Sequence, residues 1–173
     1  SLCNNTVGDQ NVALGIYALK SNTTADKGVA VGAFALCSNT TGEQNSAIGF
    51  RSLCSNTIGE SNTAFGFESL LGNTTGGSNT AVGVHALCST TTGACNTAVG
   101  HLALNLATTT TKSTAVGSCA LQRTTAFGNT AIGGNASCGL TTGQRNVTMG
   151  YDANISNQTG SCNVIIGGAA MWQ

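Results

Sequence analysis

Eight cysteines, two histidines and a spaced set of carboxylates are the residues of this 173-residue chain whose types could do chemistry. The cysteines are Cys3, Cys37, Cys54, Cys88, Cys95, Cys119, Cys138 and Cys162. Their even number suits disulfides made in an oxidising compartment. Zinc is disfavoured, because there is no Cys-x-x-Cys and His is scarce. His85 and His101 belong to no nucleophile motif, and no Gly-rich loop is placed to cradle a phosphate. The expectation is a chain that is not an enzyme and holds no cofactor. Asp9, Asp26, Glu43 and Glu60 recur at a constant interval along the chain. Stacked like charges repel, so this column either invites a divalent cation such as Ca²⁺ or consists of turn residues screened by water and salt.

The interval of the carboxylates is that of the whole chain. A five-residue word close to Asn-Thr-Ala-Val-Gly begins at Asn11, Gly28, Asn45, Asn62, Asn79, Asn96, Ser113, Asn129, Asn146 and Asn163, and the step is constant but for one that is shorter by a single residue, from Ser113 to Asn129. A fixed short period means that each repeat is one structural unit whose apolar face is covered by its neighbours. Counting from the first residue of the word, position 5 is always glycine: Gly15, Gly32, Gly49, Gly66, Gly83, Gly100, Gly117, Gly133, Gly150 and Gly167. Position 4 is always apolar, position 3 is Ala except at Thr148 and Ile165, and a small residue then Leu recurs at positions 8 and 9. A polar run near Asn-Thr-Thr-Gly follows, which is turn chemistry.

Seventeen residues cannot hold two packed helices, and Thr, Val and Ile before a Gly stop favour strands. The fold expected is an all-β parallel β-solenoid of about ten 17-residue coils, each with two strands of about four or five residues and two turns. The absence of Pro agrees, since nearly every strand would be an interior one. Residues 1–173 read as a single solenoid domain, a fragment of or a unit in a longer array. Alternation puts positions 2 and 4 on one face and 3 and 5 on the other. The bulkier pair is expected inside, leaving an outward Ala and Gly stripe that either packs on another chain or fills a tight corner.

Columns sort the cysteines. Cys37 and Cys54 share position 10 of consecutive coils, about one strand spacing apart, and are the first disulfide candidates. Cys88 with Cys95 and Cys119 with Cys138 are weaker pairs, and small buried thiols at a coil corner are the competing reading. Cys3, Cys162 and the single Trp172 lie near the two ends, where they could join or dock successive subunits. Asn22, Asn39 and Asn73 open Asn-x-Thr sequons at position 12, a ladder of glycan candidates unless the turn creates the motif by accident.

Asn11-Val12-Ala13-Leu14-Gly15 and Gly28-Val29-Ala30-Val31-Gly32 resemble the Ser-Val-Ala-Ile-Gly repeat in the heads of YadA-type trimeric autotransporter adhesins, and similar words occur in phage and large-virus fibre proteins. The resemblance implies a left-handed parallel β-roll, assembly as a trimer, and binding to a host or matrix surface. It places the chain outside the cell, or on a cell or virion surface. This chain departs from the family in repeat length, since the family's usual unit is shorter, and in its cysteine content.

Charge and hydropathy narrow the function classes. Only 7% of residues are charged and the formal net charge is zero, so nothing suggests a nucleic-acid partner. No apolar stretch is long enough to span a membrane as a helix. The expected function is that of a non-catalytic extracellular structural or adhesive fibre, built as a homo-oligomer, a trimer or an end-to-end filament. The alternative is an ice-binding solenoid using Thr ladders, with columns at position 2 (Thr63, Thr80, Thr97, Thr114, Thr130) and position 14 (Thr24, Thr41, Thr75, Thr92, Thr109). An exposed flat Thr face would favour ice, and a stripe buried against another chain would favour the fibre.

Overall fold

The computed structural model describes residues 1–171. Ten strands stack in chain order into one sheet: β1 (Val12–Leu14), β2 (Val29–Val31), β3 (Ser46–Ile48), β4 (Thr63–Phe65), β5 (Thr80–Val82), β6 (Thr97–Val99), β7 (Thr114–Val116), β8 (Thr130–Ile132), β9 (Val147–Met149) and β10 (Val164–Ile166). All neighbours are parallel, and each word residue faces its counterpart, as Thr80, Ala81 and Val82 face Thr97, Ala98 and Val99. This is a parallel β-solenoid with one coil per repeat.

Each coil carries one three-residue strand, not the two longer strands expected. The rest of the perimeter is a run of turns. In the first coil Ala18 N–H donates to Gly15 O, Lys20 to Tyr17 O and Asn22 to Leu19 O, at 3.3 to 3.4 Å. Between these turns the N–H groups reach neighbouring coils, as Leu19 N–H does to Ala35 O at 3.1 Å. Tyr17 and Leu19 have φ of 58° and 48°, and their counterparts along the chain are left-handed as well. A left-handed residue breaks a strand, and for a side chain other than Gly it costs about 1 kcal/mol or more. The glycine column has a separate reason to exist. Gly83 has φ 135°, and a Cβ there would lie 2.6 Å from Gly100 O.

The core is a thin column. Leu19, Leu36, Leu53, Leu70, Leu87, Leu104 and Leu121 are fully buried, packed against the word alanines Ala30 to Ala131 and the small side chains that immediately precede each Leu. Each Leu contributes about 1.5 to 3 kcal/mol of burial. Beside them run two Asn ladders. Asn39, Asn56 and Asn73 are linked amide to amide, Asn56 Nδ2 donating to Asn39 Oδ1 at 2.7 Å and Asn73 Nδ2 to Asn56 Oδ1 at 2.8 Å. The word-opening asparagines form the second ladder. The short coil between Ser113 and Asn129 keeps both registers. Thr125 N–H donates to Thr141 O and Gly128 N–H to Thr111 O, both at 3.0 Å, so the missing residue belongs between Thr125 and Ala126, at position 14.

Near the C-terminal end the filling changes. Ser137 and Asn154 replace the core leucine at position 9, and Leu140 enters the interior from position 12 instead. Ser137 Oγ lies 2.8 Å from Thr148 Oγ1, and Asn154 Nδ2 donates to Ser137 Oγ at 3.0 Å.

Candidate functional site

The outer face of the sheet carries a repeated pattern of exposed side chains. Position 3 of the word points inward, so Ala30, Ala47, Ala64, Ala81, Ala98, Ala115 and Ala131 have no exposure. The Ala stripe expected on the outside is therefore the core lining, and positions 2 and 4 face solvent. The physical reason is room: the leucine column already occupies the interior, and only a methyl fits between it and the strand.

Two apolar columns result. Leu14, Ile48, Phe65, Val82, Val99, Ile132, Met149 and Ile166 are exposed along position 4, with Phe65 at 40% and Val82 at 36%. Ile16, Phe50, Phe67 and Val84 lie exposed just past the glycine column. On the other side of position 4, Thr63, Thr80, Thr97, Thr114 and Thr130 are half-buried and outward, a regular Thr column in five successive coils. The position 14 column of Thr24, Thr41, Thr75, Thr92 and Thr109 is exposed at the opposite turn. Next to it, most position 13 hydroxyls are used internally, donating to the carbonyl one coil on, as Thr40 Oγ1 does to Thr57 O at 3.0 Å.

Position 7 side chains run beside the second apolar column and contact it. Ring centroids of Tyr17 and Phe34 are 5.2 Å apart, Phe50 and Phe67 5.4 Å, and Phe67 and His85 5.5 Å. In the same row Arg51 Nη1 donates to Glu68 Oε1 at 2.7 Å, and His85 Nε2 lies 3.2 Å from Glu68 Oε2. Sequence reasoning missed this trio. The signal was present, since Arg51, Glu68 and His85 share position 7 of consecutive coils. His101 is exposed at position 6 and does not join it.

All eight cysteines are free thiols. Cys37 and Cys54 lie together, half-buried, as their shared column requires, and no bridge joins them. Burial first, and then the neighbouring Cys37, push the Cys54 thiol above the ordinary range, against the pull of Arg51. Burial followed by Glu68 does the same to Cys88. Of the Cys88 and Cys95 pair, Cys88 sits half-buried near Glu68 and Cys95 is exposed, with no bridge between them. Cys138 and Cys119 do lie close enough to interact, and burial ahead of Cys119 raises the Cys138 thiol. Cys3 and Cys162 are exposed near opposite ends, and Trp172 lies outside the described residues.

The glycan ladder is corrected too. Asn22, Asn39 and Asn73 are at most 1% exposed, with their amides spent inside the coil, as Asn39 Nδ2 is on Gly42 O at 2.9 Å. A sugar on these nitrogens has no room. The acidic column lies on the surface, and Asp26 Oδ1 accepts the Asp9 N–H at 2.6 Å. Among the described residues no three His, Cys, Asp or Glu converge as metal ligands, and no helix is long and apolar enough to cross a membrane. No protein-family model matches the chain, and neither a curated protein nor a solved structure matches it.

Proposed function

We propose that this chain is a non-catalytic extracellular structural or adhesive fibre module that assembles with copies of itself through the outer face of its sheet. The observation that carries the reading is the double apolar column of Leu14, Ile48, Phe65, Val82, Val99 and Ile132 with Ile16, Phe50, Phe67 and Val84. An apolar strip running the length of a rod is larger than monomers ordinarily leave in water, and a second rod of the same repeat matches it coil for coil. The assembly surface is thus the Val and Phe strip in place of the Ala and Gly stripe. The resemblance to YadA-type head repeats supports a trimer and a surface location, and the near absence of charge supports a passive scaffold.

The test is the mass of the unreduced protein in solution by light scattering, with electron microscopy of the same sample. Trimers or filaments support the reading. A monomer at high concentration sinks it.

A second reading has its own observation. The outward Thr column from Thr63 to Thr130, with apolar side chains two residues away on the same face, is the kind of regular array that an ice-binding surface needs. The two readings compete for one face, since a rod covered by its partners presents no Thr array to ice. Thermal hysteresis and ice shaping by a monomeric protein would select the second.

A further inference from the structure

We propose that Cys37 and Cys54 are an oxidisable pair that closes into a disulfide across neighbouring coils and clips them together. The register puts the two backbones side by side: Leu36 N–H donates to Ser52 O and Ser38 N–H to Cys54 O, both at 3.0 Å. Coil neighbours in register are about 4.8 Å apart at Cα, inside the range of about 4.4 to 6.8 Å that a disulfide spans. Cys37 and Cys54 hold the same position in consecutive coils, and both are half-buried. Cys88 occupies the same column with the same degree of exposure, but its neighbours there are Leu71 and Asn105. It is a built-in control.

The oxidant is a small-molecule disulfide such as oxidised glutathione. The thiolate of one cysteine attacks a glutathione sulfur, the sulfur–sulfur bond breaks, and one glutathione thiolate leaves with the electron pair. The second cysteine, deprotonated to buffer, attacks the protein sulfur of the mixed disulfide and expels the second glutathione thiolate. The two protein thiols are oxidised to one disulfide, and one glutathione disulfide is reduced to two glutathione thiols. Neither step requires another chain, so the inference stands apart from the assembly reading.

The experiment treats the folded chain with oxidised glutathione, blocks remaining thiols with N-ethylmaleimide in denaturant, and maps peptides after trypsin and a Glu-specific protease. Cleavage at Glu43, Arg51 and Glu60 separates Cys37 from Cys54. The expected result is one linked pair holding Cys37 and Cys54 from the same chain, absent in Cys37→Ser, with Cys88 recovered outside it. Recovery of Cys37 and Cys54 as separate alkylated or glutathionylated peptides overturns the proposal. So does a Cys37 to Cys54 link that mixed isotope labelling shows to join two chains.

Discussion

The side-chain carbonyl of Asn62 accepts two hydrogen bonds from Asn79, one from its backbone N–H at 3.0 Å and one from its amide at 3.1 Å. The same Asn79 amide also donates to Gly93 O at 2.8 Å, and its carbonyl repeats the pattern onto Asn96. One fully buried side chain therefore ties three coils. Asn79→Ala removes the amide that donates to Asn62 Oδ1 and Gly93 O and the carbonyl that accepts from Asn96, and we expect a loss of about 2 to 4 kcal/mol. Denaturant unfolding followed by circular dichroism measures it. Asn79→Asp should be worse, because it removes the donor and buries a charge.

Orientation of the word is tested by a pair of substitutions at adjacent positions. Ala98 is buried and Val99 exposed, so Ala98→Leu overpacks the column and should cost about 1 to 3 kcal/mol. Val99→Lys should leave the chain folded. If the melting curves showed the reverse order, the inward and outward faces would be wrongly assigned.

The period, the parallel stack and the need for Gly beside the strand were legible in the sequence, because they follow from spacing alone. Which face lies inside was not. Alternation tells that Thr97 and Val99 share a face and Ala98 does not, but it carries no sign. Bulk suggested Val inside; the room was already taken by Leu87 and Leu104, which arrive from the opposite flank through left-handed turns. Those turns were illegible because Leu at positive φ runs against local preference and is held there by stacking. The Asn ladders misled for a related reason: Asn-Thr-Thr reads as a solvated turn, whereas Asn39 and Asn73 point inward and are linked through Asn56 within the stack.

Gly83→Ala should be among the most damaging single changes. A methyl at that site meets Gly100 O at 2.6 Å, and the backbone there, at φ 135°, is one that L side chains rarely adopt. We expect loss of the cooperative melt or insoluble protein. By contrast Gly77→Ala, whose nearest contact would be Glu60 O at 3.1 Å without a positive φ, should be tolerated far better.

Assembly should respond to charge on the outer face. In Val82→Lys/Val99→Lys two ammonium groups interrupt the apolar column while the interior is untouched. The expected outcome is an unchanged circular dichroism spectrum with the mass of a monomer. A variant that still assembled at the wild-type mass would move the contact elsewhere on the rod.

Thiol labelling should follow burial and its effect on ionisation. The Cys54 and Cys88 thiols are raised, so at a given pH less of each is thiolate, and reaction with a neutral maleimide should be slower than at exposed Cys3, Cys95 and Cys162. Raising the pH through the elevated range should speed Cys54 and Cys88, read by mass spectrometry of quenched time points. Rates at Cys54 equal to those at Cys95 would count against the half-buried setting.

The bonds between strands all run from one coil to the next, and that direction has a mechanical meaning. Tension along the rod loads the coil interfaces in series, so each bears the whole force and the weakest one yields first. The short coil marks a distinct interface in that series, because between Thr125 and Ala126 it lacks the residue that elsewhere completes the Thr corner. Chains laid side by side would share the load across their interfaces in parallel. Lateral bundling would thus give a rod of three-residue strands tensile strength.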